Sequence, residues 1–314
     1  MILVTGSLAY DMIMDFPGAF SEHIDPGKVH MLNVSFLVDE MRKGFGGTAG
    51  NIAYNLSLLG VRTALLSVVG ADFSSYKEFL DKNEVDTSYI KTINTFYTST
   101  AFGVTDRDDN QIWGFYTGAD KLTENLSIHD IEGKIDFGII APHNPRAMIK
   151  FAQEYTKENI PYLFDPGMQL PWLNATDLKT GIKGAKIVIG NDYEMGVIKN
   201  KLNIKEKDQI GNKDQIIITT KGSLGSKIDY QGKVYEIPAV KVRSAEDPAG
   251  AGDAYRAGFM AGYLRGFEVD TCGRMGAVAS AYTVEKYGTT THKYNMEQFV
   301  RRYEDNFGES LDLI

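Results

Sequence analysis

The sequence predicts an α/β protein with three layers, in which a mainly parallel central sheet is flanked by helices. Short apolar runs have the length and composition of buried strands, and segments typical of helices separate them along the chain. Strands that are apolar on both faces occur in parallel sheets whose crossover helices cover both sides. The predicted strands are Ile2–Thr5, Thr63–Val69, Phe137–Ala141, Tyr162–Phe164, Ile187–Ile189 and Ile216–Thr219.

Helices are predicted between these strands and after the last of them. A hairpin of Lys227–Tyr230 and Val234–Ile237 follows the last parallel strand, with Gln231–Gly232 at its turn. Cys272 is the single cysteine, and its place in a predicted helix indicates a small core residue. The predicted helices are Gly50–Leu59, Tyr76–Asn83, Arg146–Glu158, Asp192–Lys199, Gly252–Leu264, Val269–Lys286 and Met296–Phe307.

Two stretches interrupt this alternation and predict a small second sheet. Asp11–Glu40 is irregular but contains the strand-like run LNVSFLV, and Thr98–Thr117 is typical of two strands around the turn Asp106–Asn110. Both patterns favour antiparallel strands. We expect insertions at about 11–42 and 96–119 to form a β-sheet lid within a single domain that spans residues 1–314.

The composition favours a soluble cytoplasmic protein. Of the 314 residues, 43% are apolar and 24% are charged, and the net charge is −8 at pH 7. This charge disfavours nucleic acid and anionic membranes as partners. No apolar run approaches the ~20 residues that cross a bilayer. No signal-peptide pattern opens the sequence, and one cysteine cannot form an intramolecular disulfide.

The segment Asp247–Phe259, DPAGAGDAYRAGF, carries the strongest functional signal. Gly250 and Gly252 lead into a helix whose first N–H groups are unpaired and whose dipole adds partial positive charge. Such a helix start can stabilise negative charge on a phosphate. Asp253, in the same turn, is placed to accept the proton of an attacking hydroxyl. The alternative is a glycine-rich turn in which Asp253 only caps the helix.

This segment resembles the C-terminal signature, D-T-x-G-A-G-D, of the ribokinase (PfkB) carbohydrate kinase family. The resemblance implies a ribokinase-like fold in which Asp253 is the catalytic base. It also implies that the backbone of Gly250, Ala251 and Gly252 forms the anion hole for the transferred phosphoryl group. Pro248 stands where the family usually has Thr, which fixes one φ angle and removes one N–H donor.

The segment Gly44–Gly60, GFGGTAGNIAYNLSLLG, resembles the N-terminal signature of the same family. In that family the glycine pair lets the backbone approach the substrate and the Asn binds its hydroxyls, which implies these roles for Gly46, Gly47 and Asn51. Without the resemblance, the residues indicate helix capping and close packing. A dinucleotide-binding fingerprint is rejected, because no strand runs directly into the first glycine.

Acidic residues elsewhere match further ligand-binding positions of the family. Asp11, in GSLAYD, matches an Asp that binds substrate hydroxyls, although by itself it indicates a turn or a solvated carboxylate. Asp247 matches a residue that organises a monovalent cation, which implies K⁺ as an additional cofactor. Asp165 ends a predicted strand, where α/β folds place ligand-binding residues, but an Asp before Pro is also a common turn.

Two segments at strand ends resemble the nucleotide site of the family, which implies ATP and Mg²⁺ as cofactors. Asn191 and Glu194, in NDYE, match its N-x-x-E motif, and Glu194 would hold Mg²⁺ through water. A plain capping box is the alternative. Thr219, Lys221 and Gly222 match the T-x-G segment that binds the nucleotide.

The resemblance implies a kinase that transfers phosphate from ATP to a hydroxymethyl group. LNVSFLVD and VEKYGTTTH resemble the adenosine- and nucleoside-kinase branch, so we expect a nucleoside 5′-kinase, with adenosine first. A sugar kinase of the ribokinase or fructokinase type is the alternative, and a non-catalytic sensor is a remoter one. Family lids sometimes pair to form homodimers. Aromatic residues of the predicted lid would stack on a base or only pack the lid: Phe36, Phe102, Trp113, Phe115 and Tyr116.

Overall fold

Two β-sheets organise the chain: a nine-stranded sheet with helices on both faces, and a four-stranded sheet. The computed structural model describes residues 1–31, 33–205 and 210–313, so Leu32, at the start of LNVSFLV, lies outside the described residues. In chain order the strands are β1 (Ile2–Thr5), β2 (Ala9–Asp15), β3 (Glu40–Gly46), β4 (Thr63–Gly70), β5 (Ile90–Ile93), β6 (Ser99–Thr105), β7 (Gln111–Tyr116), β8 (Phe137–Ile140), β9 (Tyr162–Phe164), β10 (Ile187–Asn191), β11 (Ile216–Thr220), β12 (Ser226–Tyr230) and β13 (Lys233–Ile237).

The larger sheet confirms the predicted parallel core. Its strand order is β13-β12-β11-β10-β9-β8-β1-β4-β5. Every neighbouring pair from β11 to β5 is parallel. The β12–β13 hairpin adds two antiparallel pairs at one edge, also as predicted. The edge strand β5 has no counterpart among the predicted strands, because its half-exposed residues lack the apolar run that marks a buried strand.

Helices cover both faces of this sheet and confirm the three-layer prediction. One face packs against α2, α3, α7, α8 and α9, and the other against α4, α5 and α6. Among the residues that the structure describes, no helix combines the length and apolar character needed to cross a membrane. The helices are α1 (Phe20–His23), α2 (Thr48–Leu58), α3 (Ser74–Lys82), α4 (Pro145–Lys157), α5 (Ala175–Lys183), α6 (Asp192–Leu202), α7 (Ala251–Tyr263), α8 (Val269–Val284) and α9 (Met296–Phe307).

The smaller sheet contains the two strands predicted within Thr98–Thr117, β6 and β7. Its strand order is β3-β2-β6-β7. The outer pairs are antiparallel, but the central pair β2–β6 is parallel, so the prediction of antiparallel strands is wrong for this pair. The reason is connectivity: β3, α2 and two strands of the larger sheet lie between β2 and β6 in the chain. That this sheet acts as a lid stays a prediction.

The strand predicted within LNVSFLV is wrong. Residues 33–38 lie outside any strand, and β2 and β3 flank the run instead. The ring of Phe36 lies 4.9 Å from that of Phe16, 5.0 Å from that of Phe20 and 6.1 Å from that of His23. These contacts partly bury Phe36 without any strand pairing. The apolar character of the run therefore reflects a local aromatic cluster.

Cys272 is a core residue, as predicted. It is fully buried in α8 and faces α7, where a Cβ atom added to Gly262 would lie 3.1 Å from its Sγ atom. Burial raises the pKa of this thiol to about 12.

Candidate active site

The predicted anion hole forms the start of α7 and the turn before it. Gly250 is the N-cap residue, and its φ of +75° lies in the left-handed region that favours glycine. A Cβ atom there would lie 2.9 Å from the Cβ atom of Thr289, so the turn has no room for a side chain. Ala251 and Gly252 open the helix. The first N–H groups of a helix lack intrahelical partners and carry the positive end of its dipole, which suits a phosphoryl group.

Asp253 lies in the first turn of α7 and faces the other glycine-rich segment. Its Oδ2 atom accepts a hydrogen bond of 2.8 Å from Asn51 Nδ2 in α2. Burial raises the pKa of Asp253, whereas the nearby Arg256 and the bond from Asn51 lower it. A raised pKa brings a carboxylate closer to the range of a general base near neutral pH. The fold thus brings together residues that are 202 positions apart and that the sequence assigned to base and substrate binding.

A buried ion pair supports this turn of α7. Arg256 Nε lies 2.5 Å from Asp165 Oδ2, and both side chains are almost inaccessible to solvent. Burial raises the pKa of Asp165 to about 6, although Arg256 opposes the shift. Arg256 was not among the predicted site residues, although it lies within the motif. The sequence feature that could have identified Arg256 is its position three residues after Asp253 on an otherwise apolar helix.

The predicted substrate-binding residues lie where β2 and β3 meet α2. A Cβ atom on Gly46 would collide with the Asp11 carboxylate, so the absence of a side chain there makes room for it. Gly47 has a φ of +83° and is the N-cap of α2, where a Cβ atom would lie 2.6 Å from the backbone nitrogen of Ala9. Tyr76 donates a hydrogen bond of 2.7 Å to the Gly46 carbonyl. The glycine pair therefore leaves room for the Asp11 carboxylate, and Tyr76 holds the backbone of Gly46.

Asp11 is expected to destabilise the ligand-free protein at neutral pH. Burial, together with the negative charges of Asp247 and Asp253, raises its pKa to about 6. Since the folded state binds this proton more tightly than the unfolded chain, the contribution to stability is full below about pH 4 and is lost as pH rises through about 6. We therefore expect Asp11→Asn to raise the Tm by several degrees at about pH 7–8 and to leave it little changed near pH 4.

Thermal denaturation of both proteins across this pH range would measure the effect. Asp312→Asn, at an exposed aspartate, is the matched control and should leave the Tm unchanged at either pH. A Tm difference between Asp11→Asn and the parent that does not vary with pH would contradict the assignment of the effect to this carboxylate.

Asn191 and Glu194 form the capping box that the sequence left open as an alternative. Asn191 Oδ1 accepts a hydrogen bond of 2.8 Å from Glu194 N–H, and Glu194 Oε2 accepts one of 2.7 Å from Asn191 N–H. The negative charge of Glu194 also raises the pKa values of Asp165 and Asp253. Glu194 therefore caps α6 and also lies close enough to Asp165 and Asp253 to influence their ionisation.

A magnesium ion held through the single carboxylate of Glu194 stays a prediction. Within the described part of the chain, no three His, Cys, Asp or Glu side chains form a group that could hold a metal. Mg²⁺ usually keeps several waters and binds one or two carboxylates together with substrate phosphates. Glu194 is the residue that would hold the ion through water.

The predicted nucleotide segment follows at the carboxyl edge of the larger sheet. Thr219 in β11 lies opposite Gly190 in β10, so the two predicted nucleotide-binding segments are neighbours. Lys221 Nζ donates a hydrogen bond of 3.1 Å to Glu236 Oε2. Gly222 has a φ of +58°, and no atom lies within 4 Å of the position of a Cβ atom there. The backbone of this turn is therefore accessible.

Asp247 joins two loops beside the anion hole. Its Oδ1 atom accepts a hydrogen bond of 2.8 Å from Ala249 N–H, and its Oδ2 atom accepts one of 3.0 Å from Gly288 N–H. Pro248 lacks an N–H, but its carbonyl accepts a hydrogen bond of 3.3 Å from Ala251 N–H. The N–H groups of Ala249 and Gly288 thus link the two loops through the Asp247 carboxylate. A K⁺ ion near Asp247 stays a prediction.

A helix start suited to phosphate, with a carboxylate in its first turn, serves the transfer of a phosphoryl group to a hydroxyl, which is the reaction of a kinase. The comparison of sequences gives the same class. The family described as pfkB family carbohydrate kinase matches residues 4–295, and the chain belongs to this family.

Several similar proteins are nucleoside kinases. The chain is 35% identical over 274 residues to a nucleoside kinase of Methanocaldococcus jannaschii, covering 87% of this chain and 89% of the relative. Its structure is similar to that of Burkholderia thailandensis nucleoside kinase in complex with inosine, with a TM-score of 0.88, 33% identity and 99% of each chain covered. The structure of the same protein in complex with ADP-inosine gives a TM-score of 0.85, with 34% identity, 99% of this chain and 97% of that chain covered.

Proposed function

We propose that this kinase transfers the γ-phosphate of ATP to the 5′-hydroxymethyl group of a purine nucleoside, with adenosine and inosine as the substrates to compare. The contact between Asn51 and Asp253 carries the proposal. Asn51 Nδ2 donates to the carboxylate, and Asn51 Oδ1 is buried with no hydrogen-bond partner among the described residues. A buried acceptor without a partner is costly, and a substrate hydroxyl would satisfy it.

The proposed reaction uses this geometry directly. The 5′-hydroxyl oxygen forms a bond to the γ-phosphorus while the bond from that phosphorus to the β,γ-bridging oxygen breaks, and ADP leaves. Asp253 accepts the hydroxyl proton, and the start of α7 stabilises the negative charge on the phosphoryl oxygens. Bound Mg²⁺ would neutralise further charge on the phosphates. Positioning and charge stabilisation supply most of the rate in such reactions.

The pairing register of the smaller sheet places the aromatic residues that were predicted to stack on a base on two different faces. Trp113 is paired with Gly103 and Phe115 with Ala101, which is itself paired with Asp11. Paired residues share a face, so both aromatic rings lie on the face of Asp11. The two rings are stacked, with centroids 6.0 Å apart. We assign recognition of the base to this face.

The remaining aromatic candidates lie elsewhere. Phe102 and Tyr116 alternate with the residues on the Asp11 face, so they lie on the opposite face of the sheet. Phe36 packs in the aromatic cluster with Phe16 and Phe20. We therefore exclude these three residues from the proposed base-binding surface.

Trp113→Ala is expected to raise the KM for a nucleoside by roughly 5- to 150-fold, because stacking on a base contributes ~1–3 kcal/mol. The KM for ATP should change little, since the nucleotide segments lie on the larger sheet. Tyr116→Ala removes an aromatic ring of similar exposure from the opposite face and is the matched control. Steady-state kinetics with inosine would test this. Equal increases of the KM in both variants would contradict the assigned face.

The proposed function is tested by ADP release from ATP·Mg²⁺ with adenosine, inosine, guanosine, cytidine, ribose and fructose, each with and without K⁺. Turnover with purine nucleosides and not with free ribose supports the proposal. Turnover with a free sugar alone would instead identify a sugar kinase of the ribokinase or fructokinase type. Ligand binding without turnover on any acceptor would indicate a sensor.

A further inference from the structure

A chain of buried hydrogen bonds connects His292 with Asp253. His292 Nε2 lies 2.8 Å from Asn55 Oδ1, and Asn55 Nδ2 donates a bond of 2.9 Å to the backbone carbonyl of Asn51. The side chain of the same Asn51 donates from Nδ2 to Asp253 Oδ2 at 2.8 Å, so the two bonds are joined through the covalent frame of Asn51. His292, Asn55 and Asn51 are each at most 4% exposed. Bonds in such an environment are stronger than in water, and an unpaired group is correspondingly costly.

The direction of these bonds determines the tautomer of His292. Asn55 donates its amide to a backbone carbonyl, so its Oδ1 atom faces the histidine as an acceptor. Thr283 Oγ1, the other neighbour of His292 Nε2 at 3.3 Å, donates its own proton to the Ala279 carbonyl and can also accept. The Nε2 atom of His292 must therefore carry a proton. Burial lowers the pKa of this histidine to about 4, so at neutral pH the ring is uncharged and has its single proton on Nε2.

The backbone around His292 is also fixed against the active site. Tyr54 in α2 donates a hydrogen bond of 2.5 Å to the His292 carbonyl. Thr289 and Thr290 both donate to the Phe45 carbonyl, at 2.9 and 3.1 Å. The histidine is therefore presented to α2 by a segment that is hydrogen-bonded to both β3 and α2.

We infer that His292 is a positioning residue: its Nε2–H holds Asn55 and the first turns of α2 so that Asn51 donates to Asp253. The inference rests on the proposed function, in which Asp253 is the base. Removing the histidine donor leaves Asn55 Oδ1 buried without this partner, which is energetically costly. Rotation of the Asn55 amide toward another donor would lower that cost but would break its bond to the Asn51 carbonyl. Loosening this turn weakens the bond on which the geometry of the base depends.

The charges around Asp253 give a readout that a merely structural role would not change. Glu194 from α6, Asp165 at the end of β9 and Asp11 from β2 present negative charge, and Tyr76 from α3 also faces Asp253. Arg256 on its own helix and the bond from Asn51 act in the opposite direction. When the Asn51 bond is lost, the base becomes harder to ionise. The acidic limb of the profile of kcat/KM against pH should then move to higher pH.

His292→Leu removes the donor at similar volume, whereas His292→Gln keeps an N–H that can reach Asn55. We expect His292→Leu to lower kcat by about tenfold, to move the acidic limb upward and to leave the KM for ATP unchanged. His292→Gln should recover most of the turnover and return the limb toward the parent position. Tyr282→Phe, which removes a bond of 2.9 Å to the Gln298 carbonyl and touches no residue of the proposed link, is the control and should not move the limb.

The turnover of each variant is divided by its folded fraction, which is measured by circular dichroism. If His292→Leu does not fold, Asn55→Ala breaks the same chain from the other side and should give the same shift. An unmoved acidic limb in the folded variant would overturn the inference while the parent remains an active kinase. A parent without turnover on any acceptor would overturn the proposed function, and this inference with it.

Discussion

Asp253→Asn is expected to lower turnover by roughly 10²–10⁴-fold, the usual contribution of a general acid or base, while nucleoside binding is largely retained. An Asn has nearly the same shape, and its Oδ1 atom can still accept the hydrogen bond from Asn51 Nδ2. The loss should therefore fall on the step in which the hydroxyl is deprotonated. Arg256 keeps its partner Asp165, so the turn of α7 should remain in place.

ADP release and calorimetric titration with inosine would separate these effects. A fall in kcat with an unchanged Kd is the expected result. Asp305→Asn, at an exposed position on α9, is the matched control for the loss of one carboxylate. Equal turnover in Asp253→Asn and the parent would remove Asp253 as the base.

Arg256→Met is expected to lower the free energy of unfolding by about 3–5 kcal/mol, because breaking a buried ion pair leaves one charge without its partner. Asp165 is only 1% exposed on its side chain and cannot recover hydration in the folded protein. The double variant with Asp165→Asn should lose less than Arg256→Met alone, since position 165 then carries no charge that lacks its partner. The coupling between the two sites is what distinguishes an ion pair from lost packing.

Urea denaturation of the parent, both single variants and the double variant at pH 7 would measure this coupling. Arg301→Met is the matched control, because its side chain is 85% exposed and its contact with Asp305 is long, at 4.0 Å. Such surface pairs contribute ~0–1 kcal/mol. Strictly additive losses for Arg256 and Asp165 would argue against a stabilising pair.

The parts of the fold that local patterns determine were predictable. The parallel strands appear in the sequence as apolar runs because both of their faces are buried, as the alternation of Leu163 and Phe164 between the two helix layers illustrates. The start of α7 was equally readable, since Gly250 adopts a positive φ that few other residues tolerate. In both cases the physical cause lies within a few residues of the signal.

The parts that depend on distant partners were not predictable. The ion pair between Arg256 and Asp165 joins α7 to the end of β9, and no spacing in the sequence encodes it. The run LNVSFLV was misread because β-like composition does not distinguish a strand from an aromatic cluster packed around Phe36. Asn51 and Asp253 are 202 positions apart, and only the resemblance to the family assigned both residues to one site.

Burial of Cys272 allows a single introduced cysteine to be labelled selectively. Thiol reagents react with exposed thiolate, and Cys272 is neither exposed nor ionised near neutral pH, since its pKa is about 12. Because the sequence contains no other cysteine, one introduced at exposed Gln111 in β7 would be the single position that takes up a fluorescent label. Changes in its emission on addition of nucleoside would then report directly whether the smaller sheet closes over the substrate.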